Sequence, residues 1–239
     1  MSDYFIADLH LGPQQPHLTK IFLRFLNNRA HHASRLFILG DLFEYWLGDD
    51  AIPPHYQPVI DALNKLGSHG VKVFFMHGNR DFLVGEQFAR LTGVTLLDDP
   101  CVVKIAGETT LLSHGDIFCS DDTGYQEFRK LSREPQWQAE FLEKPIEKRE
   151  IFAEKARNTS RDATSNKSES IMDVNLQTVT KSMQTHHASR LIHGHTHRPG
   201  QHTFMVDNNS CQRIVLADWR ESGHLLICND RHCTSEVFK

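Results

Sequence analysis

The sequence predicts an α/β fold, on three observations. Short apolar runs of strand length recur along the chain. Amphipathic helical patterns separate the early ones. Five of these runs end in histidine or carboxylate, four of them beside glycine. Continuous runs rich in β-branched and aromatic residues are the pattern of strands buried on both faces. In open α/β sheets ligands bind beyond the carboxyl ends of the strands, which is where these polar clusters fall.

In chain order, residues 4–7 form the first run and lead into Asp8-Leu9-His10. Residues 18–26 place apolar side chains at 18, 21, 22, 25 and 26, the spacing of one helix face. Residues 35–39 (RLFIL) run into Gly40-Asp41, and residues 59–66 repeat the helical spacing at 59, 60, 63 and 66. Residues 71–76 (VKVFFM) lead to His77-Gly78-Asn79-Arg80-Asp81. Residues 109–112 lead to Ser113-His114-Gly115-Asp116, and 190–192 to His193-Gly194-His195-Thr196-His197. From about 121 to 185 the pattern changes to mixed charge, with prolines at 135 and 145 and apolar pairs between them. That suits short amphipathic helices inserted between two core strands, with Pro145 in a first turn. Residues 213–219 and 224–228 are expected as closing strands of a second sheet.

Composition bounds the function. The chain has 239 residues and 27.4 kDa, 39% hydrophobic and 23% charged, with net charge −4 and pI near 6.5. These values exclude disordered, collagen-like and disulfide-scaffold classes. There is no positive excess to neutralise a run of phosphates, so nucleic acid is not an expected partner. No apolar run approaches the length needed to span a bilayer, roughly 18 residues. The N-terminus enters YFIADLHL without a basic segment, so no signal peptide is expected. Cys101, Cys119, Cys211, Cys228 and Cys233 are scattered without C-x-x-C and are expected as reduced thiols of a cytoplasmic protein. His31, His32, His186, His187 and His232 lack a strand-end setting and are expected at the surface.

Five strand ends carry seven side chains able to ligate a metal: Asp8, His10, Asp41, Asn79, His114, His195 and His197. One D-x-H arises often by chance, and a lone buried histidine is commonly a core residue; recurrence at five strand ends fits neither explanation. In an extended segment Asp8 and His10 point to the same side, as do His195 and His197. Gly40, Gly78 and Gly194 would let the backbone approach a bound ion or phosphate closely. Imidazole, carboxylate and one amide, without thiolate, suit Mn, Fe or Zn. Seven ligands exceed one tetrahedral site and fit two divalent ions about 3.5–4 Å apart sharing a carboxylate, an arrangement that cleaves phosphoesters. Against two carboxylates, two such ions leave an excess of about +2, which attracts an anionic phosphate.

D-x-H, G-D, G-N, H-G and G-H-T-H in this order resemble the calcineurin-like metallophosphoesterases. Longer strings are similar to the UDP-2,3-diacylglucosamine hydrolase family of lipid A synthesis: GDLFEYWLGDD (40–50), GNRDF (78–82), SHGDIFCSDD (113–122), IMDVN (171–175) and IHGHTHRP (192–199). The resemblance runs over nearly the full length. It implies a four-layered α/β/β/α sandwich of residues 1–120 and 186–239, with an inserted helical cap at 121–185 in the same structural unit. It implies Asp8, His10, Asp41 and His197 on one ion and Asp41, Asn79, His114 and His195 on the other. Asp41 then bridges, and the ions are Mn²⁺ for preference.

The implied reaction is hydrolysis of the pyrophosphate bond of UDP-2,3-diacylglucosamine to 2,3-diacylglucosamine 1-phosphate and UMP. Water activated by the two ions attacks the uridine-side phosphorus, and Asn79, Arg80 and His195 meet the developing charge. Asn79, Arg80, Asp122, Arg157, Ser160, Thr164, Lys167 and His195 are the implied substrate contacts; Thr164 stands where the family often has Asn. Apolar cap residues Phe128, Leu131, Trp137, Phe141, Ile151 and Phe152 would wall the acyl chains, with Trp46 near the entrance. Asp49, Asp50, Asp81 and Asp116 are candidates to orient the ligating imidazoles. A monomer touching the cytoplasmic face of the inner membrane peripherally and weakly is expected.

Arg80 bears on the leaving group. Relatives that cleave ordinary phosphodiesters typically show G-N-H, whose histidine can protonate the departing oxygen. A guanidinium keeps its proton and cannot serve as that acid, although it can clamp phosphate oxygens. A sugar phosphate, with a second pKa of about 6, departs without protonation, whereas an alkoxide does not. Two alternatives stay open: Arg80 binds substrate while His195 or another group is the acid, or the fold serves a broader phosphodiesterase or nucleotide phosphatase. A metal-binding module without activity is disfavoured, because all seven ligands are intact.

Overall fold

The computed structural model describes residues 2–166, 173–230 and 232–239, the side chains of 159–166 excepted. Two sheets carry the fold. The first has strand order β11-β10-β1-β2-β3-β4, from β1 (Asp3–Ile6), β2 (Arg35–Leu39), β3 (Lys72–Met76), β4 (Thr95–Leu97), β10 (Gly223–Cys228) and β11 (Cys233–Phe238). In it β1 to β4 run parallel, while β10 pairs antiparallel with β1 and β11 antiparallel with β10. The second has order β5-β6-β7-β9-β8, from β5 (Cys101–Ile105), β6 (Glu108–Ser113), β7 (Arg190–His193), β8 (Gly200–Val206) and β9 (Asn209–Val215). There β6, β7 and β9 are parallel, with antiparallel strands at both edges.

Alternation along each strand makes three apolar layers, because successive side chains face opposite sides of a sheet. Tyr4 and Ile6, Leu36 and Ile38, Val73 and Phe75 pack outward against α1 (Pro16–Asn28) and α2 (Gln57–Ser68). Phe5, Phe37, Leu39 and Met76 face inward and meet Leu112, Ile192 and Ile214 of the second sheet. Leu111 and Leu191 face out again, onto Phe118, Val179 and Met183. The order of layers is therefore α/β/β/α, as expected. Both early helices carry a proline in the first turn, Pro16 and Pro58, whose fixed φ suits that place, and each buries the predicted stripe.

The inserted stretch forms α4 (Thr123–Ser132), α5 (Pro135–Leu142), α6 (Ile146–Asn166) and α7 (Leu176–Thr185), following α3 (Glu86–Thr92) of the first layer. Pro135 opens α5; Pro145, expected in a first turn, stands just before α6, which is long, at 21 residues. Val179 and Met183 of α7 lie on the second sheet rather than over the strand ends. Asn175 caps α7, its side chain accepting from the amides of Gln177 and Thr178.

Two expectations about the C-terminal region are corrected. Residues 224–228 belong to the first sheet, because β10 pairs with β1; only the earlier run closes the second. Cys228 and Cys233, expected as thiols, stand opposite each other in the β10–β11 hairpin, 4.0 Å apart at Cα, and are joined in a disulfide. Cys101, Cys119 and Cys211 are free. His31, His32, His186, His187 and His232 are half-buried or exposed, as expected of surface residues.

Candidate metal centre

All seven candidate ligands follow the carboxyl ends of parallel strands: Asp8 and His10 after β1, Asp41 after β2, Asn79 after β3, His114 after β6, His195 and His197 after β7. The strands of the two facing sheets end on one side, so five loops meet there. Main-chain bonds stitch them together: Leu9 and His10 amides donate to the Asp41 carbonyl (2.9 Å each), and Gly194 donates to the His114 carbonyl (2.8 Å). Asp8 Oδ2 accepts the His195 amide at 2.8 Å, tying the two sheets directly.

The backbone here is not extended. Asp8, His10, Asp41, His195 and His197 all have left-handed φ, between 49° and 69°. The expectation that Asp8 and His10 share a side of an extended segment is therefore wrong in its reason. Asp, Asn and His tolerate this region best among residues with a Cβ, yet such a conformation still costs on the order of 1 kcal/mol or more each. The glycines also act differently from expectation. A Cβ on Gly78 would overlap the Asp41 carboxylate and amide, and one on Gly194 would overlap the Asp8 carboxylate. They make room for the ligand-bearing loops themselves.

The side chains converge in two groups sharing Asp8, namely Asp8, His10 and His197, and Asp8, Asp41 and His114, with ligand atoms within 4.8 Å of one another in each. Asp41 Oδ2 stands between His10 Nε2 (3.9 Å) and His114 Nε2 (3.8 Å), and its Oδ1 accepts the Arg80 amide at 2.8 Å. Asn79 Oδ1 lies 3.0 Å from both His114 Nε2 and His195 Nδ1. His197 Nε2 lies 3.5 Å from Asp8 Oδ1.

One atom tests whether divalent cations fit. Asp8 Oδ1 is buried with no hydrogen-bond partner, in a residue 0% exposed. An ionised oxygen left so in a protein interior is costly unless a cation meets it. The donor set of carboxylate, imidazole and amide around it suits such an ion.

The charges agree. Burial pushes Asp8 up, but the nearby His197 imidazole and the His114 charge outweigh it and hold Asp8 below the usual carboxylate range. Burial and the Asp8 charge raise Asp41 to about 6, against the pull of His114. Burial pushes His10 down to about 4 and His195 down to about 3, leaving both neutral with lone pairs free at pH 7. Burial would lower His114 as well, yet Asp41 and Asp8 raise it to about 9. His114 Nδ1 lies 2.9 Å from the Leu39 carbonyl, which can only accept, so Nδ1 carries a proton and Nε2 faces the ligands.

None of the four acids expected to orient imidazoles does so by a direct bond. Asp81 accepts from the Gly78 and Leu42 amides (2.9 and 2.8 Å), fastening the β2 and β3 loops. Asp116 accepts from the Tyr125 hydroxyl and from Arg129 Nε (3.0 Å) of α4. Asp49 takes the Trp46 indole N–H (2.9 Å) and Asp50 the Arg149 guanidinium. Two carboxylates missed by sequence reasoning face imidazoles instead: Glu44 is 3.6 Å from His10 Nδ1, and Asp218 is 3.5 Å from His197 Nδ1. Glu44 sits inside the GDLFEYWLGDD string and was in view there; Asp218, in a late apolar run, gave no signal.

Arg80 is half-buried with Nε unpartnered, beside Asp41. Asp122 caps α4, accepting the Tyr125 amide, and Arg157 lies over the Tyr45 ring at 5.1 Å. The side chains of Ser160 and Thr164, and all of Lys167, fall outside the described residues. Phe128, Trp137, Phe141 and Phe152 pack on one another, with Phe82 from the β3 loop joining Phe128 and Trp137. Leu131 and Ile151 are exposed, at 50% and 65%. Trp46, expected at the entrance, is core: it is buried and stacked among Phe43, Tyr56 and Phe88.

The calcineurin-like phosphoesterase family model matches residues 4–199, the span that holds all five ligand-bearing loops. The chain belongs to this family. Within it, the chain is 49% identical to a UDP-2,3-diacylglucosamine hydrolase of Chromohalobacter salexigens, over 92% of this chain and 89% of that protein. It is 46% identical to a protein of the same name from Aeromonas hydrophila, over 95% of each. A calcineurin-like phosphoesterase is thereby placed in the UDP-2,3-diacylglucosamine hydrolase branch. Among the described residues no helix is long and apolar enough to cross a membrane.

Proposed function

We propose that this chain hydrolyses the pyrophosphate bond of UDP-2,3-diacylglucosamine, releasing UMP and 2,3-diacylglucosamine 1-phosphate in lipid A synthesis. The observation that carries the reading is Asp41 Oδ2 standing between His10 and His114, beside an unpartnered Asp8 oxygen, in a chain 46–49% identical to hydrolases of that name. Asp8, His10, Asp41 and His197 hold one divalent ion; Asp41, Asn79, His114 and His195 hold the second. When bound, the ions supply Lewis-acid charge and lower the pKa of water to about 7. Mn²⁺ is the ion of choice for this oxygen- and nitrogen-rich set.

Arg80 is carried beside the bridging carboxylate by its own amide, so its guanidinium meets the phosphate oxygens as charge develops. Asn79 and His195 flank the same point. Asp122, Arg157, Ser160, Thr164 and Lys167 hold the uridine, phosphate and glucosamine parts. With Arg80 in place of an acid, the sugar phosphate leaves unprotonated. Within the inserted residues 121–185, α4 to α6 act as a cap within the same structural unit as the core, while α7 packs on the second sheet. Exposed Leu131, Ile146 and Ile151 on the cap support weak, peripheral contact of a monomer with the cytoplasmic face of the inner membrane, where a diacyl substrate resides.

Hydrolysis in ¹⁸O-water tests which phosphorus is attacked. Label in UMP supports attack on the uridine side, and label in the sugar phosphate overturns it.

A further inference from the structure

Glu44 faces two functional side chains from two parts of the fold. Its Oε2 lies 3.6 Å from His10 Nδ1, and its Oε1 lies 3.8 Å from Arg157 Nη1 on α6. Both gaps exceed hydrogen-bond length by less than 1 Å. Both partners also have unmet buried donors, since His10 Nδ1 and Arg157 Nε have no hydrogen-bond partner. The carboxylate is held at this point by its backbone. The Glu44 amide donates to the Leu11 carbonyl at 2.9 Å, next to His10, and a Cβ on Gly12 would press to 3.2 Å from Glu44 Cβ. A cavity of about 410 Å³ runs past His10, Glu44 and Arg157, with Gln14, Glu154 and Asn158 on its walls.

The tautomer of His10 follows from what surrounds it. Nε2 faces Asp41 Oδ2 and lies 3.4 Å from His197 Nε2, so it is the nitrogen turned to the ligand cluster. A neutral imidazole giving that lone pair to a cation carries its proton on Nδ1 and needs an acceptor there. Glu44 is the acceptor at hand.

We infer that Glu44 is a positioning residue, one oxygen fixing the His10 tautomer for the metal and the other holding Arg157 of the cap against the substrate. Metal affinity and substrate affinity thus share one carboxylate. This rests on the proposed two-ion hydrolase.

The test compares metal-stripped wild type, Glu44→Ala and Glu44→Gln. Mn²⁺ binding is followed by the EPR signal of free Mn²⁺, and KM and kcat by UMP release. Alanine removes both contacts: Mn²⁺ affinity falls about 10- to 100-fold, and KM rises. Glutamine keeps a carbonyl for the His10 Nδ1–H but turns an NH₂ towards Arg157. It therefore restores Mn²⁺ affinity to within about threefold while KM stays raised. Arg157→Ala raises KM and leaves Mn²⁺ affinity as in wild type. Wild-type Mn²⁺ affinity in Glu44→Ala, or a KM in Glu44→Gln equal to wild type, overturns the inference. Should the alanine variant fail to fold, the glutamine variant alone decides. Wild type that binds no Mn²⁺ instead overturns the two-ion reading beneath it.

Discussion

Asp41 Oδ2 lies between His10 and His114, so its removal is the sharpest single change. Asp41→Ala removes the carboxylate between His10 and His114 and leaves the Arg80 amide without its acceptor. The expected loss in kcat is on the order of 10³-fold or more, extrapolated from single electrostatic groups, and steady-state kinetics at saturating Mn²⁺ measures it. His114 gives a pH prediction. Its proton is held up to about 9 by Asp41 and Asp8, and a cation must displace it. Apparent Mn²⁺ affinity therefore rises with pH from 7 towards 9 and levels beyond. Titrations at pH 7, 8 and 9 check this; affinity unchanged across the range contradicts it. His193 is shifted the other way, buried and pushed down to about 4 by desolvation. The folded state binds fewer protons than the unfolded one between about 6.5 and 4, so the stability contributed by neutral His193 is lost as pH falls through that window. A His193→Gln variant is expected to show a shallower fall of Tm there than wild type.

At the scale of elements, the loops rather than the strands make the site, and their close approach depends on missing side chains. Gly78→Ala sets a Cβ against Asp41, so it is expected to weaken Mn²⁺ binding and to cost about 1–3 kcal/mol of stability by overpacking. Chemical denaturation and metal titration of that variant measure both. In the cap, buried Arg149 donates to the Leu47 and Lys144 carbonyls (2.9 and 2.8 Å) and to Leu142, besides Asp50, and so pins α6 to the β2 loop. Arg149→Ala orphans those carbonyls, and faster limited proteolysis between α5 and α6 is the expected outcome. Strands with ligand-bearing ends were legible in the sequence because both their faces are buried, which leaves an unbroken apolar run. Edge strands β4, β5, β8 and β11 were not, because their exposed positions interrupt the pattern. Sheet membership of β10 was illegible too, since HLLIC suits either sheet and only pairing with β1 decides. Trp46 misled for a related reason: its place in a motif said nothing of which way it faces.

Across the whole molecule, two sheets bring five strand ends to one side, and the candidate ligands come together only when the sheets pack. The convergence of the seven candidates was legible because imidazoles and carboxylates concentrate at those ends. Glu44 and Asp218 were not, since what marks them is distance to an imidazole, which no local pattern encodes. Because the candidate ligands come from both sheets, the proposed cation binding is linked to folding: Mn²⁺ at 100 times its Kd should add about 2.7 kcal/mol of stability, read as a rise in Tm. The most direct test of the account is UMP release from UDP-2,3-diacylglucosamine by the metal-stripped chain, with and without added Mn²⁺. The account predicts no release before addition and turnover after it. UMP formed without any ion, or none with Mn²⁺ while a simple phosphodiester is cleaved, would contradict it.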